Sequence, residues 1–152
     1  MIEPLRLSFV VRCDVAHAFD VFTAKTSLWW PQTHSVSQAP GLTVTFEPMV
    51  GGRILERTPD GDEFEWGTIV VWAPPARLSY SWHLRADSVE PSEVAITFTA
   101  VDPETTRVDI VHSGWERLGD RGQTGRDGNQ KGWGGVLPHY VAACSSLTNA
   151  AR

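Results

Sequence analysis

Few side chains in this sequence are set up for chemistry. His112 closes the alternation Val108, Ile110, His112, so it points to the same side of a strand as two aliphatic residues. A neutral imidazole in that place can donate or accept a hydrogen bond with a bound ligand, or act as acid and base. It can equally be a core histidine satisfied by a backbone carbonyl, or one that fixes the turn at Gly114. Glu63, Glu65 and His83 could serve as acid and base at a cavity mouth. Alternation puts Glu63 and Glu65 opposite Phe64 and Trp66, however, and His83 opposite Trp82, which favours a solvated outer face. His34 with His112 or His139 could converge on a metal, but no HxH, HxxxH or carboxylate partner fixes their spacing, and no metal or other cofactor is expected.

Nucleophilic chemistry has less support. Cys13 and Cys144 lie in apolar patterns without a CxxC spacing or an activating neighbour, which reads as buried free thiols. There is no GxSxG elbow, and Gly51-Gly52 and Gly134-Gly135 are not followed by the Lys-Ser/Thr of a phosphate loop. The one catalytic candidate is therefore His112, a weak one, and the residues favour a binder over an enzyme.

The better signal is aromatic. The chain of 152 residues carries seven tryptophans, each a large rigid apolar surface with a single N–H donor. Tyr80, Trp82 and Phe98 fall on apolar strand faces, Ile110 beside His112, and Trp133, Leu137 and Tyr140 on a helical stripe. Trp29 and Trp30 sit in a short helical segment before Pro31. Together these residues would line a pocket for a flat or greasy small molecule with few polar groups to orient it; the competing reading is a fully packed aromatic core.

Elements that could position them follow from patterning. A first strand spans Pro4 to Cys13, then Asp14 caps a helix over Val15 to Thr23. Ser27 to Trp30 is a second short helix, and Gln32 to Leu42 a loop. Strands follow at Thr43 to Glu47, Gly52 to Arg57, Phe64 to Trp72, Arg77 to Leu84, Glu93 to Val101 and Thr106 to Ser113, separated by turn signals such as Asp60-Gly61, as in an antiparallel meander. Gly114 to Asn129 is rich in glycine and charge and reads as a long loop with Trp115 exposed on it. The stripe Trp133, Val136, Leu137, Tyr140, Val141, Cys144, Leu147 makes one long amphipathic helix, with Pro138 either kinking it or marking its start. The expected fold is a single α+β domain over residues 1–152, a curved antiparallel sheet gripping the C-terminal helix around an apolar cavity.

Composition bounds the partners. The net charge is −5 and the basic residues are scattered, which argues against nucleic acid. No run approaches a membrane span, the first residues do not resemble a signal peptide, and a cytoplasmic location is the default.

The motif order resembles the SRPBCC or START-like superfamily with its helix-grip fold. It is most similar to the branch named for the C-terminal domain of the activator of Hsp90 ATPase. The matching stretches are residues 13–23, the Trp29-Trp30-Pro31 triplet, residues 46–53 and 66–78, Trp82, residues 108–115 and residues 132–137. This superfamily includes lipid and hormone carriers, polyketide cyclases, ligand receptors and a cochaperone. The resemblance therefore implies the fold, and leaves three functions open: a carrier of a small hydrophobic molecule, a cyclase- or hydratase-like enzyme using the same cavity, or a protein-interaction domain. The Hsp90 activator has an N-terminal domain that this chain lacks, which argues against simple transfer of an Hsp90 partner. A sheet edge or an exposed Trp115 would offer a homodimer surface.

Overall fold

A computed structural model describes residues 2–83 and 91–150, with side chains to Ser146. Strand β1 (Leu5–Val11) leads into helix α1 (Val15–Thr23), whose first turn is capped by Asp14, its carboxylate accepting the His17 amide at 2.7 Å. Two 3-10 turns follow, Thr26–Leu28 and Gln32–His34. Strands β2 (Thr43–Phe46), β3 (Arg53–Arg57), β4 (Glu63–Ala73), β5 (Arg77–Trp82), β6 (Ser92–Asp102) and β7 (Thr105–Ser113) come next, and a 3-10 segment (Trp115–Arg121) runs into helix α2 (Gly122–Ala150).

The seven strands form one antiparallel sheet in the order β1-β7-β6-β5-β4-β3-β2. Consecutive strands pair throughout from β2 to β7, and β1 closes against β7 with Leu7 opposite Ile110. Register shifts at Ile54/Leu55, Ile69/Val71 and Ala100/Asp102 curl the sheet. At Gly67, which pairs with Ile54 beside the β3–β4 shift, a Cβ would overlap the Ser81 carbonyl, so only glycine lets β5 approach there. α1 and α2 lie together on the concave side, tied by the Tyr140 hydroxyl, which donates to the Ala18 carbonyl at 2.7 Å. This is the helix-grip arrangement that the family resemblance implies.

Two expectations need correction. The stretch expected as a loop from Gly114 to Asn129 is a 3-10 segment followed by the first two turns of α2. Two of its glycines serve close packing: an added Cβ would come within 2.4 Å of the Trp115 carbonyl at Gly122 and within 2.8 Å of the Leu118 side chain at Gly125. Trp115 is completely buried, its indole donating to the His112 carbonyl at 2.9 Å, so it offers no surface for a partner or a second copy. Pro138 lies inside α2 and does not mark its start. Pro138 and Gly134, whose carbonyl would have bonded an amide at 138, are both exposed, so the freed carbonyl is left to water. Of the predicted elements, only the end of the β5 strand, at Leu84, and the side chain of Leu147 fall outside the described residues.

Candidate functional site

The interior between sheet and helices is occupied by rings. Phe22 of α1 meets Tyr140 at a centroid distance of 5.2 Å, Trp29 at 5.5 Å and Phe98 at 6.2 Å. From Phe46 the series continues through Tyr80 to Trp82, and Trp82 touches both Trp66 and Trp30. These edge-on and tilted contacts are the geometries aromatic quadrupoles favour. Tyr80, Phe98, Ile110 and Tyr140 are buried in this core, and Trp29 is pinned in it by an indole bond to the Val21 carbonyl at 2.7 Å. The space expected as a central cavity is thus largely filled with aromatic core.

His112 sits in the sealed part of the interior, fully buried. The Trp133 indole donates to its Nδ1 at 3.0 Å, and an indole N–H can only donate, so the imidazole proton resides on Nε2. Nε2 then donates to the Ser92 hydroxyl at 2.8 Å, and that hydroxyl donates onward to the Trp82 carbonyl at 3.1 Å. Both ring nitrogens are used. Burial pushes its pKa down from 6.5 to about 3, so the ring is neutral at physiological pH. This arrangement ties the ring to Trp133 and, through Ser92, to the Trp82 carbonyl, with an indole and a hydroxyl as the imidazole's partners rather than a backbone carbonyl.

A cavity of about 270 Å³ opens at one end of the grip. Its walls are Trp30, Thr33 and His34 from the 3-10 turn and its approach, Trp82 at the end of β5, and Gly128, Asn129, Gly132, Trp133 and Val136 from α2. Trp30, Trp82 and Trp133 are the sequence-predicted residues found here; Leu137 and the others are not in its wall. Among the described residues the lining contains no Asp, Glu, Lys or Arg. Asn129 braces the wall, accepting from the Trp82 indole at 3.2 Å and donating to the Gly125 carbonyl at 2.8 Å. At Gly128 and Gly132 an added Cβ would meet nothing within 4 Å, so the missing side chains are part of the opening.

Glu56, which sequence reasoning passed over, holds the loop that forms one wall. It is fully buried on β3, and its carboxylate accepts the amides of Val36 and Ser37, each at 2.8 Å, and the Trp66 indole at 3.0 Å. Burial alone would raise its pKa, but the bonds from Ser37, Val36 and Trp66 outweigh it and hold the carboxyl below its ordinary 4.5. Trp66 in turn lies against Trp30, ring centroids 4.9 Å apart. The sequence signal was available: Glu56 shares a strand face with Ile54.

Other candidates lie elsewhere. Glu63 pairs with Arg57, and Glu65 reaches His83 at 3.6 Å, on the outer face of the sheet. His139 lines a separate cleft with Leu28 and Trp29, and among the described residues no three His, Cys, Asp or Glu come together to hold a metal ion. Cys13 and Cys144 are buried; the hydrogen bond between them and burial push the Cys144 thiol well up, away from the reactive thiolate. A shallower apolar groove of about 500 Å³ runs between α1 and the β4–β5 turn, past Phe19, Trp72 and Pro74. Among the described residues no helix is long and apolar enough to cross a membrane.

Residues 12–143 match the family described as Activator of Hsp90 ATPase homolog 1-like protein. The chain belongs to this family. A search of the curated proteins gave no match. Among solved structures, the family member described here is similar to Txn09, an anthrahydroquino-γ-pyrone synthase complexed with SUM (36% identity, 81% of this chain and 84% of that chain, TM-score 0.59). It is also similar to CalC from Micromonospora echinospora, a self-sacrificing resistance protein (27% identity, 95% and 96% covered, TM-score 0.72). A protein from Nitrosomonas europaea shares the fold at 15% identity, 97% of each chain and a TM-score of 0.67.

Proposed function

We propose that this protein binds an uncharged, flat, polycyclic aromatic molecule in the cavity between the Gln32–His34 turn, β5 and α2. The observation that carries this reading is a wall built from three tryptophans and two helical glycines, with no Asp, Glu, Lys or Arg among its described residues. Indole faces favour flat rings. The volume of about 270 Å³ is at the small end for a ligand site and suits a two- to three-ring body with one edge left in the opening.

The 36% identity to Txn09, described as an anthrahydroquino-γ-pyrone synthase, supports the ligand class and favours a second reading, in which the bound molecule is also a substrate. An aromatic wall that holds a reactive ring system in one conformation supplies positioning, one part of what a ring-closing enzyme needs. Carrier and enzyme share the binding step, so the first test addresses binding. Gly132→Leu places a side chain in the cavity where nothing now stands, and at the same time removes a glycine from a helix interior. The expected result is loss of tryptophan quenching by 2-hydroxyanthraquinone together with stability kept or raised by up to about 1 kcal/mol, the helix-propensity gain. Undiminished quenching in Gly132→Leu would exclude this cavity as the binding site.

A further inference from the structure

We infer that His34, rather than His112, is the proton-accepting group of this cavity, taking the proton of an acidic hydroxyl, a phenol or enol, on the edge of the bound ring system. The inference rests on the binding reading above and adds a chemical step to it.

Four observations support it. Among the described residues, His34 is the one titratable side chain in the cavity wall. Its backbone is fixed from several sides: the Trp30 indole donates to its carbonyl at 3.1 Å, its amide donates to the Pro31 carbonyl at 3.0 Å, and Glu56 grips the amides of Val36 and Ser37 just beyond it. The Thr33 hydroxyl stands 3.3 Å from Nδ1 and can accept from it; in that tautomer Nε2 carries the lone pair. Nε2 itself has no protein hydrogen-bond partner among the described residues, and its edge lies against α2 at Gly135, where a Cβ would come within 2.7 Å of it. Gly135 thus admits the imidazole to the helix surface, one turn from Gly132 in the cavity wall.

The contrast with the buried histidine is chemical. Both nitrogens of His112 are committed to Trp133 and Ser92, whereas Nε2 of the wall residue His34 has no protein hydrogen-bond partner among the described residues. In the step assigned to His34, the ligand O–H bond breaks and its electron pair stays on oxygen. The proton forms an Nε2–H bond, and a phenolate or enolate faces an imidazolium. An oxyanion generated that way is the nucleophile that a ring closure through oxygen requires, and the protonated imidazole can return its proton to the product.

The test uses 2-hydroxyanthraquinone, whose visible band moves to longer wavelength when its phenol ionises. With the full chain near pH 6, quenching of tryptophan should be accompanied by the long-wavelength band, the bound probe being ionised about tenfold more than the free probe, the effect of one adjacent cation. His34→Gln should still quench without the band. Gly135→Ala, which keeps the imidazole but displaces it, should also lose the band, while Gly134→Ala, where an added Cβ meets nothing, should keep it. Retention of the band in both His34→Gln and Gly135→Ala, or quenching by the unaltered protein without any band, would overturn the assignment and leave the binding reading standing. Absence of quenching in the unaltered protein would remove the binding reading, and the assignment with it.

Discussion

The two ends of the aromatic interior are built from the same residue types and come to opposite results. At the sealed end, His112, Trp133, Ser92 and Trp115 satisfy one another's polar atoms, and nothing is left for a ligand. At the open end, Trp30, Trp82 and the other face of Trp133 surround a space that α2 declines to fill, because glycine stands at 128 and 132. Trp133 belongs to both: its indole nitrogen is anchored in the sealed network and its ring forms cavity wall. A histidine or a tryptophan therefore signals a core or a site according to whether its last hydrogen-bonding group and its last exposed face are already taken.

The strongest way to break the contrast is His112→Ala. It leaves a void and strips partners from the buried Trp133 indole and Ser92 hydroxyl, so a loss of about 4 kcal/mol is expected in urea unfolding. The same residue sets a pH dependence. Its pKa is about 3 in the folded protein and its ordinary value is 6.5, so the unfolded chain binds a proton that the folded one refuses. Its stabilising contribution is complete above 6.5 and is lost as pH falls from there toward about 3, at a slope of about 1.4 kcal/mol per pH unit. Urea midpoints measured across that window should fall with acidity, and His112→Ala should flatten the upper part of the curve. Glu56 adds a second loss lower down: its carboxyl is held below 4.5, so its contribution is present above that value and is lost as pH drops through its lowered folded-state pKa.

Glu56→Gln tests the connection between sheet and cavity wall. A glutamine amide would set N–H groups against one of the donors that the carboxylate now accepts, at a cost of about 2 kcal/mol. Hydrogen exchange should quicken at Val36 and Ser37 before it changes at β6 or β7; uniform quickening would mean that Glu56 supports the whole fold rather than the loop. Tyr140→Phe is the smallest of the set. It removes the hydroxyl that donates to Ala18, costing about 1 kcal/mol, and should leave probe binding unaltered because Tyr140 is in the core and not in the cavity wall.

Strand alternation, the Asp14 cap and the terminal apolar stripe were enough to read the fold, since each reports a face that must be buried. The start of α2 was not legible. Gly122, Gly125 and Gly128 depress helix propensity, and only the tertiary structure shows Trp115 and Leu118 crowding the first two. The tryptophans pointed to an aromatic interior but could not show which faces remain free, because packing between residues distant in sequence decides that. His112 stood out by its place in an apolar alternation, and for the same reason it is buried and committed. His34 lay in a stretch without periodicity and could be placed only once Glu56, from twenty residues away, was seen to hold that loop.

The most direct measurement of the central claim is a titration of ¹⁵N-labelled protein with 2-hydroxyanthraquinone, following the seven indole N–H resonances. Binding in the cavity produces the largest shifts at Trp30 and Trp82, a smaller one at Trp133, and none at Trp72, which lies in the groove beside α1. Shifts centred on Trp72 with Trp30 and Trp82 unmoved would place binding in that groove and contradict the account.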